Sequence, residues 1–147
     1  MNRRNIFATL LAATGLAAAA KASAAAEPPA GVPKVVYHLA DAEKADFVLG
    51  NIRNHIDGMG GPDKVIIALV VHGPALRLFE ATSTNVDLRA RLANASAAGV
   101  SLHACANTMA HMKITLKDLL PGFILADKGG VVRLADLQRE GYVYLRP

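Results

Sequence analysis

The segment Lys64-Val-Ile-Ile-Ala-Leu-Val-Val71 constrains this chain more than any other. Its apolar residues are consecutive and mostly β-branched, so they cannot alternate between a core and water. A strand with this pattern is covered on both faces, the condition of a central strand in a parallel sheet. Parallel neighbours require long crossover connections, which helices supply.

The flanking segments fit that frame. Lys34 to Leu39 is strand-like, and Asp41 offers a cap for a helix in which Ala45, Val48, Leu49, Ile52, Ile56 and Met59 recur at helical spacing. Gly58, Gly60 and Gly61-Pro62 stop it. His72-Gly73-Pro74 ends the central strand, and Ala75 to Phe79 forms a short helical turn. Ser83, Thr84 and Asn85 offer caps for a helix through Leu88, Leu92 and Ala95, closed by Gly99. A third strand runs from Val100 to Ala104, and Asn107 or Thr108 caps a turn holding Met109 and Met112, a stripe that Leu116 extends. Thr115 to Asp118 has the form of a capping box. Phe123 to Ala126 is a fourth strand, Gly129-Gly130 a turn, Val131 to Glu140 a last helix, and Tyr142 to Leu145 a closing strand. The predicted fold is α/β: a three-layer α/β/α domain over residues 34–147 with a mostly parallel five-stranded sheet.

The first residues read as an address. Arg3 and Arg4 precede an apolar run from Ile6 to Ala20, and Ala22-Ser23-Ala24 and Ala24-Ala25-Ala26 are small-residue cleavage sites. Residues 1–26 are therefore expected to be a signal peptide and 27–33, with three prolines, a linker. The paired arginines fit the twin-arginine or the general secretory route, and the expected location is periplasmic or secreted. Charges interrupt every later apolar stretch, so no transmembrane segment is expected. The formal charge of +4 owes Arg3, Arg4 and Lys21 to the leader, leaving 13 basic against 12 acidic side chains. No basic stripe remains, which argues against a nucleic-acid partner.

Ligands of such sheets sit beyond the carboxyl ends of the strands. His38, His72 and Cys105 lie at three of those ends. Cys105 is the only cysteine, so no disulfide can form within the chain. It is a buried filler, a metal ligand or a reactive sulfur. At the start of a helix, amide dipoles favour its thiolate, the reactive form. His72 is a candidate proton acceptor or cationic neighbour for that thiolate. Gly73 permits a tight turn that shapes the pocket. Asn107 and Thr108 read as helix caps able to orient the sulfur, and His103 shares the sheet face of Cys105. No paired-cysteine zinc spacing, glycine-rich phosphate loop or Gly-x-Ser-x-Gly elbow is present, so neither a resident metal nor a cofactor is expected.

Four segments in order carry a family resemblance: Val70-Val-His-Gly-Pro-Ala-Leu76, Gly99-Val-Ser-Leu-His-Ala-Cys-Ala-Asn-Thr-Met109, Asp118-Leu-Leu-Pro-Gly122, and the tail from Gly130 to Pro147. Through them the chain resembles the DsrE/DsrF-like sulfur-relay proteins, in particular exported single-domain members. The resemblance implies a three-layer fold that assembles into trimers or hexamers, and a cysteine that accepts sulfur as a persulfide and hands it on. Cys105 matches that cysteine. It further implies a sulfur donor and acceptor as partners, and leaves open whether the protein is a sulfurtransferase or a carrier. A second cysteine near the C-terminus, as relay proteins have, is absent. Two other readings stay open. Cys105, Met109 and His103 offer soft ligands for Cu(I), with His111 and Met112 nearby, or the cysteine is inert within a structural oligomer.

Overall fold

The computed structural model describes residues 31–147; the expected leader and most of the linker lie outside them. Five strands are present: β1 (Lys34–Leu39), β2 (Ile66–Val71), β3 (Ser101–Cys105), β4 (Phe123–Ala126) and β5 (Val143–Leu145). All pair in parallel, in the order β4-β3-β2-β1-β5. The sheet is thus wholly parallel. Four α-helices connect it: α1 (Ala45–Met59), α2 (Val86–Ala97), α3 (Ala106–Met112) and α4 (Gly130–Arg139).

The right-handed crossover rule explains the layering. Steps from β1 to β2, β3 and β4 all run in one direction, so α1, α2 and α3 fall on one face. The return from β4 to β5 runs the opposite way, and α4 falls on the other. Strand alternation feeds both layers. Val35, Tyr37, Leu39, Ile67, Leu69, Val71, Leu102 and Ala104 join the larger core with α1 and α2. Val36, Ala68 and Val70 meet Leu134 and Leu137 of α4 in a smaller one. The two-sided apolar reading of β2 is correct from Ile67 onward, each buried side chain contributing about 1.5–3 kcal/mol. Lys64 closes a 3-10 turn at Pro62–Lys64 instead of opening the strand.

Several local expectations need correction. Asp41 makes no capping bond; its carboxylate pairs with Arg146 at 3.0 Å, and a 3-10 turn at Ala42–Lys44 precedes α1. Asn85 alone of the three candidate caps performs that role, accepting from Leu88 N. The Thr115–Asp118 capping box is formed. Leu116 is 37% exposed and leaves the stripe of Met109 and Met112, because α3 ends at Met112 with Lys113 in the left-handed region. No helix among the described residues is long and apolar enough to cross a membrane.

Candidate functional site

β3 runs into α3 with no intervening loop. Cys105 keeps extended backbone angles (φ −68°, ψ 119°) and occupies the capping position of α3 itself. That corrects the expectation for Asn107 and Thr108. They stand in the first turn, where backbone amides have no partner within the helix and are free to point at the capping side chain.

A second helix start meets the first. β3 leads to a helix on one face and the adjacent β4 to a helix on the other, which opens a crevice between their carboxyl ends. Gly129-Gly130, read from sequence as a plain turn, fills that crevice. Gly129 has φ 96°, and a Cβ there would stand 2.6 Å from Asn107 Nδ2. Gly130 is the first residue of α4. A Cβ on it would lie 3.3 Å from both Cys105 Cβ and His72 Cβ. Only glycines let the two turns close this far.

The resulting environment of the sulfur is polar although Cys105 is only 5% exposed. Burial pushes the thiol up. The Thr108 hydroxyl and the amides of Thr108, Gly130 and Asn107 pull it down further, so its balance falls below the ordinary value of 9.0. Gly73, itself at φ 58°, donates its amide to Thr108 Oγ1 at 3.0 Å. With that oxygen accepting from Gly73, the hydroxyl proton is left available to the sulfur. Thr108→Val keeps the shape and removes the donor. Its thiol is expected to titrate higher and to alkylate several-fold more slowly near neutral pH, with Thr108→Ser restoring the rate; the pH profile of iodoacetamide labelling checks this.

His72 lies beside this pocket, but not as a cation. Burial first and Arg146 second hold it below the usual histidine range, with Asp41 opposing. Its partner is His38, with Nε2 to Nε2 at 2.5 Å. Burial, then His72 and Arg146, push His38 down to about 4. His38 Nδ1 meets the Tyr144 hydroxyl at 2.6 Å. His103 is 3% exposed and bonds Ser101 Oγ at 3.0 Å, toward the opposite end of β3 from the sulfur. Burial and Arg133 hold it at about 4, with Glu140 opposing.

The soft-metal grouping is not assembled. Met109 is packed in the larger core with α1 and α2, whereas His103 lies on the opposite face of the sheet. Among the described residues no three His, Cys, Asp or Glu side chains gather to hold a metal ion. A groove of about 480 Å³ runs between α1 and α2 along Leu49, Ile52, Ile56 and Arg91, and Cys105 does not line it. It holds neither the cysteine nor a histidine, so the sulfur environment is the candidate site.

Sequence reasoning missed Gly129, Gly130 and Tyr144. Adjacent glycines between a strand and a helix, the pattern of close backbone approach, were the available signal for the first two. Tyr144 became legible only with the register of β5.

The fold has a solved counterpart. A protein of unknown function, MTH1491 from Methanobacterium thermoautotrophicum, is 25% identical, with a TM-score of 0.69 over 78% of this chain and 99% of its own. A conserved protein of unknown function, BT1422 from Bacteroides thetaiotaomicron, is 13% identical with a TM-score of 0.48, over 78% of this chain and 94% of its own. No curated protein matches the chain. The family pattern of the DsrE/DsrF-like proteins matches residues 12–147. With that match spanning nearly the whole sequence, the chain belongs to the DsrE/DsrF-like family.

Proposed function

We propose that the protein is a sulfur carrier in which Cys105 accepts sulfane sulfur as a persulfide and passes it on. Family membership supports sulfur relay at the coarse level. The observation that carries the finer reading is Cys105 at the capping position of α3 with the start of α4 closed against it, where Thr108, Gly130 and Asn107 lower its thiol. Such donors stabilise a thiolate and equally a terminal persulfide anion. Loading is an exchange: the thiolate attacks a polysulfide, one sulfur–sulfur bond forms, another breaks, and the shortened polysulfide leaves with the electron pair. One cysteine suffices to carry. The slight exposure of the thiol favours a small donor over a bulky one.

The leader reading supports an activity outside the cytoplasm. A homo-oligomer, trimer or hexamer, is part of the same proposal; exposed Ile124, Val131 and Val132 on the α4 side are consistent with a covered face. To test the carrier reading, native protein is incubated with inorganic polysulfide and its intact mass measured. The expected result is a gain of whole sulfur atoms on Cys105, removed by a thiol reductant. A thiol that stays unmodified when native and labels only after denaturation defeats the proposal.

A further inference from the structure

Four side chains step diagonally across the α4 face of the sheet at its carboxyl edge. Tyr144 of β5 stands opposite Val36 of β1, and His38 lies two residues further along β1. His38 stands opposite Val70 of β2, with His72 two residues beyond. Extending the β2–β3 register one residue past Val71 and Ala104 sets His72 beside Cys105. The ring centroids of His38 and His72 are 4.7 Å apart, with planes 26° from parallel. That spacing exceeds the Nε2–Nε2 distance by about one ring width, so the rings meet edge to edge and in line rather than stacked. Such a contact holds one proton, donated by one ring and accepted by the other.

Two proton arrangements satisfy the chain. In the first, Tyr144 donates to His38 Nδ1, His38 Nε2–H donates to His72 Nε2, and His72 keeps its proton on Nδ1. In the second, His72 Nε2–H donates to His38 Nε2, His38 Nδ1–H donates to the Tyr144 oxygen, and His72 Nδ1 is bare. Both rings are neutral in either arrangement. Neutrality matters, because burial and Arg146 disfavour an imidazolium at both positions and Asp41 only partly offsets them.

We propose that Tyr144, His38 and His72 form a proton relay for Cys105, with His72 as base when sulfur is loaded and as acid when it leaves. On loading, the thiol proton reaches His72 Nδ1 through one bridging water. The His72 Nε2 proton passes to His38 Nε2, the His38 Nδ1 proton to the Tyr144 oxygen, and the Tyr144 hydroxyl proton to water. Unloading runs the protons back. The relay rests on the carrier reading and adds to it how a nearly buried site exchanges protons without accumulating charge. His38 and Tyr144 are positioning residues: they set the tautomer of His72 and do not touch sulfur.

Tyr144→Phe tests this in the whole protein, since it removes one oxygen from a 39% exposed ring. Imidazole nitrogen NMR is expected to show the resonances of both His38 and His72 moving in the variant; an unchanged His72 overturns the relay. Loading from inorganic polysulfide is expected to slow about tenfold, less than the roughly hundredfold or more that a positioned base supplies, because His72 itself remains. The solvent deuterium effect should rise while the pH midpoint of thiol alkylation stays fixed. Tyr37→Phe, which breaks a 2.9 Å bond to His55 on the other face, should behave as wild type in both measurements. A Tyr144→Phe protein that loads at the wild-type rate overturns the relay and leaves the carrier reading intact. If wild-type protein does not load at all, the carrier reading fails, and the NMR result alone decides the relay.

Discussion

Cys105→Ser is expected to fold, to keep the β3–α3 junction, and to gain no sulfur at all from polysulfide. Oxygen replaces sulfur at nearly the same volume, so the amides of Asn107, Thr108 and Gly130 keep an acceptor. A serine hydroxyl does not ionise near neutral pH, and its oxygen cannot form the sulfur–sulfur bond of a persulfide. The stability of the variant carries a second signature. The folded thiol titrates below its ordinary value of 9.0, so across that interval the unfolded chain binds the extra proton. Wild-type stability therefore rises with pH there; the contribution is complete above the unfolded value and is lost as pH falls through the folded one. The deficit of Cys105→Ser should grow from neutral pH toward about pH 9, as read by urea unfolding. A deficit that shrinks over that range would show that the folded protein holds the thiol protonated.

Gly130→Val is expected to damage stability and chemistry together. Its Cβ alone would touch Cys105 and His72 at 3.3 Å, and its methyl groups would enter the gap between them. Crowding of this sort costs about 1–3 kcal/mol. The α4 start must shift outward, taking the Gly130 amide away from the sulfur. The thiol should then titrate higher, and labelling near neutral pH should slow about tenfold, since a hydrogen bond to a charged group is worth roughly 1.5–3 kcal/mol. Gly130→Ala should fall between, because its neighbours need give only a few tenths of an ångström. Labelling against pH, with urea unfolding of the same samples, checks both effects. Wild-type labelling in Gly130→Val would mean that α4 contributes nothing to the thiolate.

The layers were legible because their signals are local and physical. An uninterrupted apolar strand, helical spacing in α1 and α2, and glycines at helix ends each report a single element. The position of Cys105 at a strand end was readable for the same reason. What surrounds it was not. His72 was readable as either a proton acceptor or a cation; the burial and Arg146 that disfavour the cation come from packing that no local pattern encodes. Asp41 looked like a cap, yet its partner Arg146 lies 105 positions away. Gly129 and Gly130 were visible as a turn, while the closeness they permit depends on the neighbouring order of β3 and β4.

The interior strands β1, β2 and β3 have six, six and five residues, whereas the rims β4 and β5 have four and three. Short rims offer a foreign strand few free amides and carbonyls. On the β5 side, Arg146 and Pro147 follow at once, one bringing charge and the other lacking an N–H. A sheet whose middle is this rich in valine and isoleucine would otherwise template fibril growth; its truncated borders guard against that.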